Sequence, residues 1–294
     1  MPTSDFLEQS LQTLSNKIGS LNEHKCESGK IFEAQHKAIL EAHAQLPEWS
    51  IQAQKGKLYL FHFSSPSTGT PLSLQGKHFD LSAQLELNTI QKLKVYQWLL
   101  VEAYEAIEDF LEKAYAYCGS KGMKLWERPN KWQHGSSEEI DHYLSVKLRG
   151  TPYAQLKAFR TNLHHFAKYE STNPNQVNYR VVFVLIEKLR HFIVHNEGYG
   201  QDFDKLMTRI RGELPGVDSK QLKNHVDSFF TLHGDRYLVD LLEFPVEDPT
   251  LPIGAYHDQM LGLFRNIMEY AVLITEAIYE KLLSNNDNLH NAPP

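Results

Sequence analysis

A long apolar segment decides the fold class of this chain. Residues 177–194 (VNYRVVFVLIEKLRHFIV) carry apolar side chains on nearly every side of a helix, and such a helix is stable when it is buried among others. The β-branched residues would also suit a strand. However, the segment exceeds the usual strand length, and Glu187, Lys188, Arg190 and His191 would disrupt a strand buried on both faces. We therefore predict a central helix in a helical bundle.

Other segments supply helices to pack around it. Apolar residues recur at helical spacing over about 81–117 and again over about 256–284. Shorter helices are predicted at about 136–148 and 152–169, separated by Gly150, Thr151 and Pro152, and a further helix near Asp218 and Ser219. The sequence RYLVDLLEF allows one short strand. The predicted fold class is mainly all-α.

The N-terminal part is predicted to be an extension of this bundle. Leu7, Leu11, Leu14, Ile18 and Leu21 form one stripe of a helix, and residues 31–45 continue helically. The sequences SIQAQ and KLYLFHF, on either side of Lys55-Gly56, predict a small β-hairpin. The run SSPSTGTP (64–71) predicts a linker. We thus expect an extension at 1–75 and a bundle at 76–290, with an insertion at about 200–250.

Several classes of protein are unlike this sequence. Cys26 and Cys118 belong to no C-x-x-C cluster, and no apolar run approaches the ~20 residues that a bilayer span needs. Phosphate-binding glycine loops, nucleophile elbows and H-E-x-x-H are absent from the sequence. We therefore expect a soluble cytoplasmic protein that needs neither a membrane nor a cofactor.

The charge is unevenly distributed along the chain. The formal net charge is −6, but Lys121–His195 holds twelve basic and six acidic residues, which gives +6 here and −12 for the remainder. Cations mixed with aromatic rings suit nucleic acid, although a solvated basic face is the alternative. The residues predicted to bind RNA are Lys124, Trp126, Arg128, Lys131, Trp132, Arg149, Lys157, Arg160, His164 and His165.

Proton-transfer chemistry is predicted at the end of the central helix. His191 and His195 are four residues apart, so they share a helix face, and His195 precedes a candidate C-capping glycine, Gly198. The exposed carbonyls of a helix C-terminus favour a protonated imidazole, and histidine exchanges protons near neutrality. Arg190 lies about 140° from His195 around an ideal helix. A site shared by these two therefore needs a bent Arg side chain or a second protomer.

The sequence RHFIVHNEGYG resembles the Arg-x(4–6)-His signature of the HEPN superfamily (higher eukaryotes and prokaryotes nucleotide-binding). Arg190 would be its arginine, His191 its polar residue and His195 its histidine. Arg128…His134 and Arg160…His165 also fit the bare spacing, but neither ends a long buried helix. The resemblance implies an all-α bundle and a homodimer with a metal-independent endoribonuclease site built by both copies, often in toxins or RNA-processing factors.

This resemblance gives each residue an expected role in RNA cleavage. His195 would transfer protons, Arg190 would stabilise charge in the transition state, and His191 would support or orient. RNA, a second copy of the chain and an antitoxin protein are the expected partners. Four alternatives remain open: a non-catalytic RNA-, nucleotide- or protein-binding module, an assembly protein using the N-terminal leucine stripe, a purely structural role for the trio, and a metal site of His164, His165, His191 and His195.

Overall fold

A computed structural model of the chain describes residues 5–123, 125, 140, 151–200, 203–214, 216–246 and 256–290. The protein is mainly helical, with small antiparallel sheets. The helices are α1 (Phe6–Ala44), α2 (Ile51–Lys55), α3 (Leu81–Ser120), α4 (Pro152–Asn162), α5 (His164–Tyr169), α6 (Tyr179–Asn196), α7 (Phe203–Glu213), α8 (Ser219–Asp227) and α9 (Gln259–His290). The strands are β1 (Lys57–Ser64), β2 (Pro71–Phe79), β3 (Tyr199–Gly200), β4 (Phe230–His233), β5 (Arg236–Val239), β6 (Phe244–Pro245) and β7 (Tyr256–His257).

The chain divides into two compact units. Unit 1 contains residues Met1–Asn22 and Gln97–Pro294, and unit 2 contains Glu23–Tyr96. Helices α1 and α3 therefore each contribute residues to both units. The boundary predicted from the sequence lies between residues 75 and 76, whereas the structure groups residues 1–22 with residues 97–294.

The core of unit 1 is formed by the apolar faces of its long helices. From α6, Phe183 packs its ring against Tyr104 of α3 and Tyr270 of α9, with ring centroids 5.9 Å and 5.8 Å apart. All three rings are buried. Burying a side chain of this size contributes about 1.5–3 kcal/mol of transfer free energy. The predicted central helix is thus confirmed as α6, with Asn178 as its N-cap.

The N-terminal leucine stripe is part of the same core. Leu7, Leu14, Ile18 and Leu21 are all buried. Just before α1, Asp5 accepts hydrogen bonds from the hydroxyls of Tyr117 and of Tyr279, the latter at 3.3 Å. The stripe is therefore covered by the chain itself, which removes it as the surface of an assembly protein.

Two small sheets complete unit 1. Strand β5 lies between β3 and β4 in an antiparallel sheet, with Tyr199 opposite Leu238 and Thr231 also opposite Leu238. Strands β6 and β7 form a separate antiparallel pair. The strand predicted in RYLVDLLEF is confirmed as β5, which spans four residues.

In unit 2, the β-hairpin is present but its arms differ from the prediction. The segment predicted as its first arm is helix α2, and β1 pairs instead with β2 across SSPSTGTP. Gly56 connects α2 to β1 instead of turning between two strands. Its φ is +77°, and a Cβ there would lie 1.9 Å from the Phe79 carbonyl oxygen, so this connection requires a glycine. The run SSPSTGTP is thus the hairpin connection rather than a linker between domains.

The predicted helices elsewhere are confirmed with adjusted ends, except in two places. The helix predicted over 152–169 is wrong as one element, because Leu163 has extended backbone (φ −110°, ψ 99°) and separates α4 from α5. The helix predicted at 136–148 lies outside the described residues, apart from Ile140. None of the helices in the described ranges combines the length and the apolar character required to span a bilayer.

Candidate functional site

The site predicted from the sequence lies at the C-terminal end of α6, and local backbone geometry fixes where this helix stops. Glu197 adopts the left-handed conformation (φ 56°), and Gly198 follows with φ +81°. The Gly198 N–H donates to the Phe192 carbonyl at 2.9 Å. The left-handed residue that ends the helix is therefore Glu197, one position before the glycine that the sequence suggested.

The exit from α6 is anchored to the rest of unit 1. The Gly198 carbonyl accepts a hydrogen bond from the Val239 N–H at 2.9 Å, and the Val239 carbonyl accepts one from the Gln97 side-chain amide at 2.7 Å. Gln97 is buried, and a Cβ at Gly198 would lie 2.6 Å from its amide. Position 198 therefore needs a glycine both for its φ and for this close approach.

Of the three predicted catalytic residues, the structure places His191 against His195 and in a pocket lining with Arg190. The rings of His191 and His195 have centroids 4.6 Å apart, and both residues are exposed. Arg190 is half-buried, and its guanidinium carbon lies 5.9 Å from the centre of the Tyr104 ring, within the range of a cation–π contact. His191 lies between the two, because it also lines a pocket with Arg190.

This pocket has a volume of about 230 Å³ and is built by three helices. Arg190 is one of its lining residues, and among the described residues the buried Arg190 Nε–H has no hydrogen-bond partner. A buried donor of this kind is costly to leave unpaired, so an acceptor brought within its reach would be stabilised. The lining residues are Tyr104 and Glu108 of α3, Thr151, Pro152 and Tyr153 at the start of α4, and Glu187, Arg190 and His191 of α6.

Burial and nearby charges shift the titration of these groups. Burial raises the pKa of Glu108, against the opposing effects of the Tyr104 hydrogen bond and the Arg190 charge. Partial desolvation lowers the pKa of His191 although the residue is exposed, and the nearby charges of His195, Lys188, Arg209 and Arg190 lower it further. At neutral pH the His191 imidazole is therefore mostly neutral and can accept a proton, in a surrounding of cationic side chains.

Glu108 and Tyr104 are functional candidates that the sequence analysis did not assign to the site. In the sequence, Tyr104 is one of the apolar residues that recur at helical spacing over about 81–117, and Glu108 is one of several acidic residues among them. A signal was present, since residues four apart share a helix face. It did not indicate that this face meets Arg190, which lies far away in the sequence.

The predicted RNA-binding residues are only partly within the described structure. Lys124, Trp126, Arg128, Lys131, Trp132 and Arg149 lie outside the described residues. Lys157 on α4 and His164 on α5 are exposed. His165 Nδ1 lies 3.1 Å from Glu280 Oε2.

Arg160 is engaged inside unit 1. Its Nε and one terminal nitrogen donate to the two carboxylate oxygens of Glu170, each at 2.6 Å. The Tyr270 hydroxyl donates to the same carboxylate, also at 2.6 Å. The Glu170 side chain is 5% exposed and that of Arg160 is 20% exposed. The Arg160 guanidinium is therefore held in an ion pair with Glu170 inside unit 1, and its contact with RNA stays a prediction.

The alternative of a histidine metal site is not formed within the described part of one chain. Across these residues, no group of three or more His, Cys, Asp or Glu side chains could hold a metal ion. His164, His165, His191 and His195 thus do not gather into such a group.

Comparison of the chain with protein-family models, curated protein sequences and solved structures gives no match.

Proposed function

We propose that this protein is a metal-independent endoribonuclease with a HEPN-like helical bundle. The observation that carries the proposal is the arrangement at the end of α6. There, two exposed imidazoles are in ring contact, and one of them, His191, lines a pocket together with Arg190, whose buried Nε–H has no partner among the described residues. An imidazole pair and a guanidinium are the groups that RNA cleavage without a metal requires.

The proposed reaction is cleavage by the 2′-hydroxyl of the RNA itself. A base removes the 2′ proton, the 2′ oxygen bonds to phosphorus, and the bond from phosphorus to the 5′ oxygen breaks. An acid gives a proton to that leaving oxygen, so the products are a 2′,3′-cyclic phosphate and a 5′-hydroxyl. Arg190 stabilises the extra negative charge on the phosphorus oxygens in the transition state.

The lowered pKa of His191 refines the roles of the two histidines. A neutral imidazole at neutral pH can accept the 2′ proton, so His191 can contribute the base as well as orient its neighbour. His195, in ring contact with it, is the second group for proton transfer. The charges of Lys188, Arg209 and Arg190, all close enough to influence His191, favour the approach of a phosphate.

We also propose that the active form is a homodimer. Arg190 extends toward Tyr104 and the pocket, while His195 is exposed at the end of the helix. A second copy of α6 would place a further imidazole and guanidinium at the same phosphate. Light scattering at micromolar concentration should report an even-numbered assembly, and a strict monomer would exclude this composite site.

The test of the activity is cleavage of a mixed RNA ladder in EDTA, with analysis of the product ends. The wild type should give 2′,3′-cyclic phosphates, and His195→Ala and Arg190→Ala should each lose at least about 100-fold in rate. His36→Ala is the matched control, because His36 is an exposed histidine on α1 and is not among the residues predicted to bind RNA. Equal cleavage by wild type and His195→Ala would overturn the assignment. Retardation of RNA without cleavage would support the non-catalytic binding module instead.

A further inference from the structure

The β1–β2 hairpin of unit 2 exposes an unusual amount of apolar surface. It is a two-stranded sheet in which β1 and β2 pair from Lys57 opposite Phe79 to Ser64 opposite Pro71. A hairpin of two strands is marginally stable by itself, and exposed edges and faces usually carry polar residues. The exposure of large apolar side chains on this hairpin is therefore not explained by the stability of the hairpin itself.

Two aromatic rings stand side by side on one face of this hairpin. Phe61 and Phe63 are two positions apart in β1, so both side chains point to the same face. Their ring centroids are 5.9 Å apart with the planes inclined at 31°, and the residues are 63% and 42% exposed. The opposite face exposes aliphatic side chains instead, those of Leu58 and Leu60. The ring face also carries the exposed Leu72, which pairs with Phe63, so what distinguishes this face is its two adjacent flat rings.

The hairpin is also cationic, in a chain whose net charge is −6. Residues 49–79 contain no Asp or Glu, but they contain Lys55, Lys57 and Lys77 together with His62 and His78. Lys77 is exposed and pairs with position 59, which alternates onto the same face as Phe61 and Phe63. A positive charge therefore lies on the face that carries the rings.

We propose that this face of the hairpin binds single-stranded RNA, with bases stacked on Phe61 and Phe63 and a phosphate near Lys77. Aromatic platforms combined with cations bind single strands because every base has a flat face and every linkage a negative charge. The proposal rests on the proposed function only in taking RNA as the nucleic acid concerned. It gives that nuclease a surface that holds the strand, separate from the residues that cleave it.

Binding is tested apart from cleavage with a fluorescent 2′-O-methyl oligouridylate, which lacks the free 2′-hydroxyl that the reaction uses. The full-length protein should bind it. Phe61→Leu/Phe63→Leu, which keeps apolar side chains but removes the rings, should raise Kd by about tenfold or more, since stacking contributes about 1–3 kcal/mol per base. Phe61→Tyr/Phe63→Tyr should retain wild-type affinity. Lys77→Gln should flatten the plot of log K against log salt by about 0.7.

The matched control is Leu58→Ala/Leu60→Ala, on the opposite face of the same strand, which should leave Kd unchanged. Unchanged affinity in the Leu variant of the two phenylalanines would overturn the proposal. The proposal would also be overturned if Phe61→Leu/Phe63→Leu lost binding to anionic phospholipid vesicles but kept its affinity for the oligonucleotide. Ring-dependent binding without cleavage of ordinary RNA would leave this proposal standing and the nuclease proposal refuted. Cleavage of ordinary RNA together with binding that does not depend on the rings would support the nuclease proposal and refute this one.

Discussion

Replacing Arg160 by methionine tests whether its guanidinium is structural or available to RNA. The substitution keeps much of the side-chain volume but leaves the Glu170 carboxylate, 5% exposed, with the Tyr270 hydroxyl as its remaining donor. Removing one partner of a buried pair costs about 3–5 kcal/mol, because the other charge stays uncompensated. We therefore expect Arg160→Met to lower the free energy of unfolding by about that amount, measured by urea denaturation and circular dichroism.

Two further measurements separate the buried charge from lost packing. The double variant Arg160→Met/Glu170→Gln also removes the negative charge of the unpaired Glu170 carboxylate, so it should recover much of the lost stability. The effects of the two substitutions on the free energy of unfolding should therefore be strongly non-additive. Lys157→Met, an exposed cation on the same helix, should change stability by less than about 0.5 kcal/mol. Wild-type stability of Arg160→Met together with weakened RNA binding would refute the reasoning.

Two other predictions concern the exit of α6 and the titration of His225. Gly198→Ala should cost at least about 2 kcal/mol in urea denaturation, because it strains a positive φ and displaces Gln97 from Val239. Gly262→Ala, in α9 with nothing within 4 Å of the added Cβ, should stabilise slightly, and an equal cost at both positions would contradict this account. The His225 ring contacts Phe229, and desolvation lowers the pKa of His225 although part of the side chain is exposed. The native state therefore favours the neutral form, and stability should fall as the pH drops below the unfolded value of about 6.5. His225→Gln should lessen that fall in urea denaturation at pH 5 to 7, with His164→Gln on α5 as the control, and an unchanged pH dependence would disprove it.

Much of the helical framework could be predicted because its signals are local. The periodicity of 177–194 and the charges at Glu187 and Lys188 were enough to favour α6 over a strand, and the structure confirms it. The break at Leu163 carries no such signal, since neither glycine nor proline marks it. Leu163 is 1% exposed, so burial of this side chain, rather than local propensity, accompanies the extended backbone there.

The candidate site was predictable in its residues but not in its surroundings. Spacing indicated that His191 and His195 share a face, and their rings are indeed in contact. The pairing of Arg190 with Tyr104 and the exposure of the Glu108 carboxyl to the same pocket depend on how α3 and α6 pack. Contacts between residues so far apart in sequence follow from tertiary packing, which periodicity within one helix does not specify.

The contact between Asp5 and Tyr279 has a consequence for biosynthesis. These residues are 274 positions apart, so a side chain beside the start of α1 is hydrogen-bonded to one that is synthesised much later. Contacts of such long separation form late and slowly. We expect nascent chains that stall before residue 259 to leave Asp5 without the Tyr279 hydroxyl, and to be cut by proteases near the start of α1 more readily than chains that include α9.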